Sequence, residues 1–430
     1  MVTVTRKEER FYVPTSRIGS FIDAISMIAR PKSFQTDYNE TLYLNNAEHE
    51  VPFGISIKAR RYSDMHWDSQ VQLDINTEWL FEMKRELVSG SSLLREKERE
   101  KLILSQILEK MKTLNRIGNV PVTSPLVPYV ADNYRRRHFE VIGADEFRIT
   151  VDDALKYFFF ESGLNGTQIG KEDYSRVEIK VPKEKMGSLE LQKIQSQLDK
   201  LEAEPVISKK DMAHNLLSDY LRRKSNRPVN PSDTEIESKL ILGDESQHVF
   251  HQIKRDFHDG VIDGYSILEG FPFTLEAGKL HRYVITPDGR YLRISMKGDK
   301  KKVISKTDSE IMENSYGLNC ILKRTEVREE FSPDVLSLPS RTIYRKRKYF
   351  LVENKKTGET YCVLIDRSTL DGQTMFQMEV EGTLLSPSPS EVKATVEDIA
   401  YLTKSIVNRY DNLTPTTLAK LDWLRKTLLL

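Results

Sequence analysis

The chain has 430 residues, with 65 basic and 64 acidic side chains and a net charge of +1. This length allows two domains with separate cores, and the near-neutral charge excludes a global field that would draw the protein to nucleic acid or to a membrane surface. Two cysteines, Cys320 and Cys362, are too few for a disulfide framework or a cysteine-rich zinc site and fit a reducing compartment. The first residues lack the hydrophobic core of a signal peptide, and no apolar run reaches membrane-spanning length. We therefore expect a cytoplasmic protein without membrane association.

In the first half, alternation of polar and apolar residues predicts strands over 4–13, 41–44, 54–62, 79–87, 128–141, 146–151 and 173–181. Helical periodicity predicts helices over 16–28, 93–114, 189–201 and 212–223. In the helix over 93–114, we expect the charge run 95–101 to form a solvated face rather than a binding patch. A polar stretch with two prolines follows. It indicates a first domain over 1–222, a linker over 223–234 and a second domain over 235–430, the alternative being a long surface loop within one domain.

In the second half, strands are predicted over 235–240, 282–286, 291–296, 302–306, 318–327, 342–352, 360–366 and 375–382. Helices are predicted over 391–408 and 415–428. Thr414 is the expected N-cap of the last helix, because a proline follows it at the first helical position.

Charged residues recur at every second position of these strands. Glu235, Glu237 and Lys239 alternate with Ile236, Ser238 and Leu240, so the three charges share one face of a strand. The same spacing recurs at 6–10, 58–60, 82–84, 178–180, 345–347 and 379–381. So many charged faces favour closure over a flat exposed sheet, with about eight strands forming each barrel. The predicted fold is mainly β with helical decoration (α+β): two tandem antiparallel eight-stranded barrels flanked by helices.

Charges inside a barrel are costly unless they have partners. Carboxylates can be compensated by Mg²⁺ or Mn²⁺, which bind oxygen ligands, and lysine and arginine side chains can be compensated by phosphates. The pattern therefore predicts a ligand that combines a metal ion with a polyphosphate.

The second half resembles the CYTH branch of the triphosphate tunnel metalloenzyme superfamily. Glu235-x-Glu237-x-Lys239 is similar to its opening motif, and Glu379-x-Glu381 to its closing one. The positions between them that match its charged strands are Arg293, Lys306, Arg324, Glu326, Arg345, Arg347 and Asp366. Ser295 departs from the pattern, since a second arginine is usual there; Lys297 on the same face is the expected substitute.

The first half resembles the VTC-type polyphosphate polymerase domain. Its matching segments are Arg6 to Phe11, Ser56 to Tyr62 with Lys58 and Arg60, Glu82-x-Lys84, Tyr134-x-Arg136, Arg148-Ile149-Thr150, Glu178-x-Lys180, and Ser208 with Lys209 or Lys210. His138 shares a face with Arg136, and we expect it to be a hydrogen-bonded structural residue rather than a phosphate ligand.

The two resemblances imply roles for these residues. The implied metal ligands are Glu8, Glu82, Glu178, Glu235, Glu237, Glu326, Glu379 and Glu381. The implied phosphate-binding residues are Arg6, Arg10, Lys58, Arg60, Lys84, Arg136, Arg148, Lys180, Lys209, Lys306, Arg324, Arg345 and Arg347. The implied catalytic residues are Lys239, Arg293, Glu379 and Glu381. Asp366 could orient a ligand or cap a turn.

The implied function is Mg²⁺- or Mn²⁺-dependent chemistry on a nucleoside triphosphate or inorganic triphosphate. Water as nucleophile gives a triphosphatase, a ribose hydroxyl gives a cyclase or nucleotidyl transferase, and a terminal phosphate gives a polyphosphate polymerase. Polymerase is less favoured, because no transmembrane segment is present to carry a growing chain. A different class stays open: a non-catalytic sensor of nucleotides, polyphosphate or triphosphorylated RNA ends that acts on a partner protein. P-loop, dinucleotide-binding and zinc-protease motifs are absent from the sequence.

Overall fold

Strands form about half of the described structure, and the long ones alternate between apolar and charged residues. The computed structural model describes residues 6–32, 38–89, 92–117, 120–144, 146–161, 163–224, 233–242, 247–271, 274–286, 291–297, 300–306, 310–330, 335, 338, 340–370, 373–417 and 423. The chain divides into a first unit, Met1–Ile117 with Val122–Tyr220, and a second unit, Gly118–Pro121 with Leu221–Leu430. The predicted linker lies mostly outside the described residues, and the domain bounds stay a prediction.

The strands of the first half of the chain are β1 (Arg6–Pro14), β2 (Ala29–Lys32), β3 (Tyr38–Asn45), β4 (Ile55–Ser63), β5 (Gln70–Gln72), β6 (Glu78–Ser89), β7 (Ser92–Ile103), β8 (Arg116–Ile117), β9 (Val120–Pro121), β10 (Val127–Val141), β11 (Arg148–Phe159), β12 (Asn165–Lys171), β13 (Tyr174–Pro182) and β14 (Glu204–Pro205). The helices are α1 (Ile18–Ile25), α2 (Leu104–Lys112), α3 (Leu189–Lys200) and α4 (Lys209–Lys224), with short 3₁₀ turns at Thr15–Arg17 and Lys183–Lys185.

The main sheet of the first unit has the order β1-β13-β11-β10-β3-β4-β6-β7, and every pair is antiparallel. No pairing joins β7 to β1 among the residues described in this unit. One apolar core lies between β13 and the helices α1 and α3, where Val177, Ile179 and Val181 pack against Phe21 and Ile194. Because side chains alternate along a strand, the charged residues of β13 face the opposite side of the sheet.

The strands of the second half are β15 (Thr234–Ile241), β16 (Tyr265–Ile267), β17 (Leu275–Ile285), β18 (Tyr291–Lys297), β19 (Lys300–Lys306), β20 (Glu310–Ile311), β21 (Ile321–Glu329), β22 (Ser340–Asn354), β23 (Thr360–Leu370), β24 (Gln373–Leu384) and β25 (Thr414–Pro415). The helices are α5 (Gln247–His258) and α6 (Pro389–Val407). Helix α6 begins at a capping box: the Ser388 hydroxyl accepts from the Glu391 backbone N–H, and the Glu391 carboxylate accepts from the Ser388 backbone N–H. None of the helices in the described ranges combines the length and the apolar character needed to cross a membrane.

Eight strands of the second unit close into a ring, in the order β15-β24-β23-β22-β17-β18-β19-β21, with β21 pairing back to β15. All of these pairs are antiparallel. The predicted mainly β fold is confirmed, and the second unit forms one of the two predicted eight-stranded antiparallel barrels; the first unit forms a second sheet, which is not closed among its described residues.

The two units share one strand order. In chain order, β1, β3, β4, β6, β7, β10, β11 and β13 correspond to β15, β17, β18, β19, β21, β22, β23 and β24, and the sheet neighbours match throughout. The registers match as well. Arg10 lies opposite Glu178 in the first unit, where Lys239 lies opposite Glu379 in the second. The Arg10–Glu178 pair is therefore equivalent in position to the Lys239–Glu379 pair.

Three predictions about local structure were wrong. Residues 93–103 form a strand instead of the start of a helix, because β7 pairs with β6 along its whole length, and a ladder of this length outweighs local helical preference. Strand β17 begins at Leu275, seven residues before the predicted start at 282. Thr414 and Pro415 pair with Ile241 and Leu240 and do not begin a helix; most of the predicted helix after them lies outside the described residues.

Candidate functional site

The packing of β15 determines which of its side chains face the barrel interior. Ile236 and Leu240 are fully buried, and the Ser238 hydroxyl accepts a hydrogen bond from Thr403 of α6 at 2.6 Å. This face is therefore covered by the helix. Glu237, like the charged residues on either side of it, faces the interior of the ring.

Carboxylates and a lysine meet at the pairing of β15 with β24. Glu237 lies directly opposite Glu381, and Lys239 lies opposite Glu379. The Lys239 Nζ atom is 2.6 Å from a Glu237 oxygen and 3.3 Å from a Glu379 oxygen. Arg324 Nη1 lies 2.6 Å from the other Glu237 oxygen. Lys239, Glu237 and Glu379 are each only 2% exposed, so their charges are compensated inside the protein rather than by water.

The pKa of Glu381 reflects the electrostatic repulsion between the carboxylates of this cluster. Burial and the neighbouring Glu235 raise the pKa of Glu381 to about 7, although Arg347 acts in the opposite direction. Glu379 and Glu237 add to the repulsion. The four neighbouring carboxylates Glu235, Glu237, Glu379 and Glu381 form a hard oxygen donor set, and this set fits Mg²⁺ or Mn²⁺.

Basic residues face this acidic side from β22 and β18. Arg347 donates from Nε and Nη2 to the two oxygens of Asp366 at 2.8 and 2.9 Å, and it also donates to Glu379 at 3.2 Å and to Glu381 at 3.3 Å. Arg345 Nη1 lies 3.7 Å from Asp366. Asp366 is fully buried in the middle of β23, so it orients arginine side chains and does not cap a turn.

The remaining predicted residues of the second unit lie on strands of the same barrel. Arg293 donates to Glu326 at 2.9 Å. Lys306 pairs with Glu326 through the backbone of β19 and β21, but the side chains of Lys306 and Lys297 lie outside the described residues.

Strand β17 contributes two interior residues that the sequence did not suggest, Lys279 and His281. Burial, then Arg345 and other cations, lower the pKa of Lys279 to about 7. Burial and the same neighbours hold the pKa of His281 well below its usual range. Both residues fell outside the predicted strand, because that strand was placed too late in the chain.

In the first unit, five cationic side chains surround the carboxylate of Glu82 on β6. Its oxygens lie 3.3 Å from Lys58, 3.8 Å from Arg60 and 3.2 Å from Lys84. Two further cations come from β7: Lys97 at 2.5 Å and Arg99 at 3.0 Å. Although burial acts in the opposite direction, these cations hold the pKa of Glu82 well below its usual range. The run 95–101 was predicted to be a solvated helical face, so the roles of Lys97 and Arg99 were missed.

A second cluster of the first unit surrounds Glu178 and Asp152. The Glu178 carboxylate lies 3.3 Å from Arg10, 2.9 Å from Lys180 and 3.8 Å from Arg136. Arg136 also donates to both oxygens of Asp152, at 2.5 and 2.6 Å. Although burial alone would raise it, Arg136 and then further cations lower the pKa of Asp152 to about 2. Sequence reasoning missed Asp152, although it lies four residues after Arg148 and so on the same face of the strand.

Other predicted residues of this unit are placed differently. Lys209 Nζ is 2.6 Å from Asp152, so Lys209 is the one of the two candidate lysines that joins this cluster. Glu8 accepts from Arg10 at 2.8 Å. Arg148 is exposed and lines a separate surface cavity of about 370 Å³. The Arg6 side chain lies outside the described residues.

His138 is close to this second cluster. Burial and then Arg136 lower its pKa to about 3, so the imidazole is neutral. A neutral ring is consistent with the structural role predicted for it.

Part of the chain matches a known protein family, and several solved structures are similar to it. Residues 33–213 match the family model of the VTC domain. A candidate adenylate cyclase from Bacillus halodurans is 12% identical, with a TM-score of 0.29, and the match covers 49% of this chain and 96% of that one. The mimivirus capping enzyme triphosphatase is 13% identical, with a TM-score of 0.27 and coverages of 46% and 98%. The Pct1 RNA triphosphatase of S. pombe is 15% identical, with a TM-score of 0.23 and coverages of 54% and 96%. No curated protein matches the chain.

The family match and the barrel support each other. The VTC match covers the strands that carry the Glu82 and Glu178 clusters, and the second unit repeats the same strand order as a closed ring with opposed charges inside. The comparisons therefore identify a match to the VTC domain over residues 33–213, in the first half of the chain.

Proposed function

We propose that the second unit binds a triphosphate group together with Mg²⁺ or Mn²⁺ and catalyses its hydrolysis or the transfer of a nucleotidyl or phosphoryl group. One observation carries this proposal: the interior of the barrel is divided into an acidic and a basic side. The acidic side is formed by β15 and β24, and the basic side by β17, β18 and β22. A metal–triphosphate complex has the matching division, since the metal needs carboxylates and the phosphates need cations.

The metal would be held by Glu235, Glu237, Glu379 and Glu381. When bound, it would neutralise phosphate charge and activate the attacking nucleophile. The raised pKa of Glu381 supports this assignment, because it reflects burial and repulsion between neighbouring carboxylates, which a bound cation would relieve.

The chain's own basic residues would position the phosphates. Arg345 and Arg347 are held by Asp366, so their guanidinium groups are oriented before substrate binds. Lys239 contacts Glu237 and Glu379 and so keeps two of the carboxylates together. Preorganised donors of this kind stabilise charge that develops on a transferring phosphoryl group.

A second candidate function concerns the first unit. The acidic residues of its two clusters are already paired with cationic side chains. Five cationic side chains surround Glu82 alone. This excess of positive charge supports binding of a longer polyanion, such as inorganic polyphosphate, and the VTC match supports polyphosphate as the ligand. The unit would then act as a sensor that influences a partner protein, or as a polymerase site.

The test is product identification. The full-length protein is incubated with the four common nucleoside triphosphates, inorganic triphosphate and a 5′-triphosphorylated RNA, with Mg²⁺ or Mn²⁺, and the products are identified by mass spectrometry. Orthophosphate indicates a triphosphatase, pyrophosphate with a cyclic or linked nucleotide indicates a cyclase or transferase, and chain growth indicates a polymerase. Binding without any product would overturn the catalytic proposal in favour of the sensor.

A further inference from the structure

Lys279 and His281 of β17 lie on the face of the strand that lines the barrel interior. Lys279 is directly opposite Arg345 of β22, and His281 is directly opposite Ser295 of β18. Neither residue belongs to the charged positions that match the CYTH motifs. The residue opposite His281 on β18 is thus an uncharged serine.

Lys279 is surrounded by cations. Its side chain lies among the charged groups of the barrel and stays accessible to solvent at one end; the cations that act on it are Arg345 and Arg347 of β22, Arg293 of β18 and Arg222 near the end of α4. No ion pair of Lys279 is found within the described part of the second unit. Burial among these groups and their repulsion lower its pKa to about 7. A lysine in this position is unfavourable without an anion, so the arrangement favours a polyanionic ligand.

His281 provides an independent indication. The side chain is buried, with 3% exposure, and Nδ1 lies 3.0 Å from the Ser295 hydroxyl. Within the described residues Nε2 is buried and has no hydrogen-bond partner, and the same is true of Arg293 Nε. Buried polar atoms in folded proteins are nearly always paired, so these two nitrogens indicate a ligand.

We propose that Lys279 and His281, together with Arg293 and Arg345, form a subsite for one phosphate group of the triphosphate. Lys279 supplies a positive charge opposite Arg345. When the Ser295 hydroxyl donates to Nδ1, the ring proton of His281 lies on Nε2 and is available to a phosphate oxygen. This inference rests on the proposed function, because that function names the ligand.

Proton uptake during binding tests Lys279 directly. The full-length protein is titrated calorimetrically with inorganic triphosphate and Mg²⁺ near pH 8, in two buffers of different ionisation enthalpy. At this pH most of the free Lys279 is neutral, so binding of the anion should draw a proton onto it. The turnover KM measured under the same conditions reports the second unit separately.

Three variants give the readout. Lys279→Met should weaken binding about tenfold and remove the extra proton uptake, because a charge-assisted hydrogen bond is lost. Lys279→Arg should keep the affinity but lose the uptake, because arginine is already protonated. His281→Phe should raise KM with a smaller effect on kcat. Lys346→Met is the matched control, because Lys346 is the neighbour of Arg345 on β22 and therefore faces the opposite side.

The outcomes are distinguishable. Triphosphate binding by the wild type with unchanged affinity, proton uptake and KM in all three variants would overturn the subsite and leave the proposed function intact. Absence of triphosphate binding by the wild type would overturn both.

Discussion

Arg347 and Asp366 face each other across β22 and β23 and are joined by two hydrogen bonds of 2.8 and 2.9 Å. Arg136 and Asp152 hold the same relationship across β10 and β11, at 2.5 and 2.6 Å. Because the strand orders of the two units match, these pairs occupy equivalent positions. Each unit thus uses a fully buried aspartate to orient the guanidinium fork of an interior arginine.

The first prediction concerns this pair in the second unit. Asp366→Asn removes the charge that holds Arg347, so the guanidinium should no longer be fixed for phosphate binding. We expect kcat/KM for triphosphate to fall about tenfold or more, measured by steady-state kinetics. Asp259→Asn, at an exposed position, is the control. Unchanged kinetics in Asp366→Asn would show that the pair does not orient the arginine for catalysis.

The second prediction concerns the acidic side. Glu379→Gln combined with Glu381→Gln should abolish turnover. The melting temperature should stay near that of the wild type, because loss of like charges relieves the repulsion that raises the pKa of Glu381. Glu313→Gln with Glu359→Gln, two exposed positions, is the control pair. Full turnover in the Glu379/Glu381 variant, together with loss of turnover in a first-unit variant, would place the chemistry in the other unit.

The third prediction concerns anion binding by the first unit. Lys58→Ala with Arg60→Ala should weaken polyphosphate binding without metal, while Glu82 keeps Lys84 and Lys97 as partners. A ligand that binds only the folded protein stabilises it by about 2.7 kcal/mol at one hundred times its Kd, so the melting temperature reports binding. Triphosphate should raise it more than orthophosphate or sulfate at matched ionic strength.

The control for this experiment is Lys112→Ala with Lys193→Ala, two exposed lysines on α2 and α3. Equal, small shifts with all three anions in the wild type would indicate generic anion binding and argue against a tunnel site.

The alternation of charged and apolar residues along the strands predicted much of the candidate site. Where that alternation is irregular, site residues were missed. The charged face of β15 could be predicted, because Ile236 and Leu240 mark the opposite face and pack against α6. The roles of Lys97 and Arg99 could not be predicted, because the charges of β7 are as dense as those of a solvated helix. Only the pairing of β7 with β6 shows that this segment is a strand. Lys279 and His281 were missed because β17 is interrupted by Gly278 and has no regular apolar alternation near its start.

The fourth prediction concerns acid stability. The folded pKa of Asp152 is about 2, below its ordinary 3.8, so its pairing with Arg136 stabilises the fold above about pH 4 and this contribution is lost as the pH falls towards 2. The shift corresponds to about 2 kcal/mol in the free energy of unfolding. Denaturant unfolding of the wild type and of Asp152→Asn should differ clearly near pH 5 and converge near pH 2. A difference that stays constant over this range would contradict the charge pairing.

The metal requirement of triphosphate turnover tests the central proposal most directly. The full-length protein is treated exhaustively with EDTA, and phosphate release from triphosphate is measured before and after Mg²⁺ or Mn²⁺ is restored. Because the acidic side consists of carboxylates that favour hard cations, we predict no turnover in the chelated protein and saturable recovery with either metal. Turnover that is undiminished after chelation would contradict the metal-dependent account of the second unit.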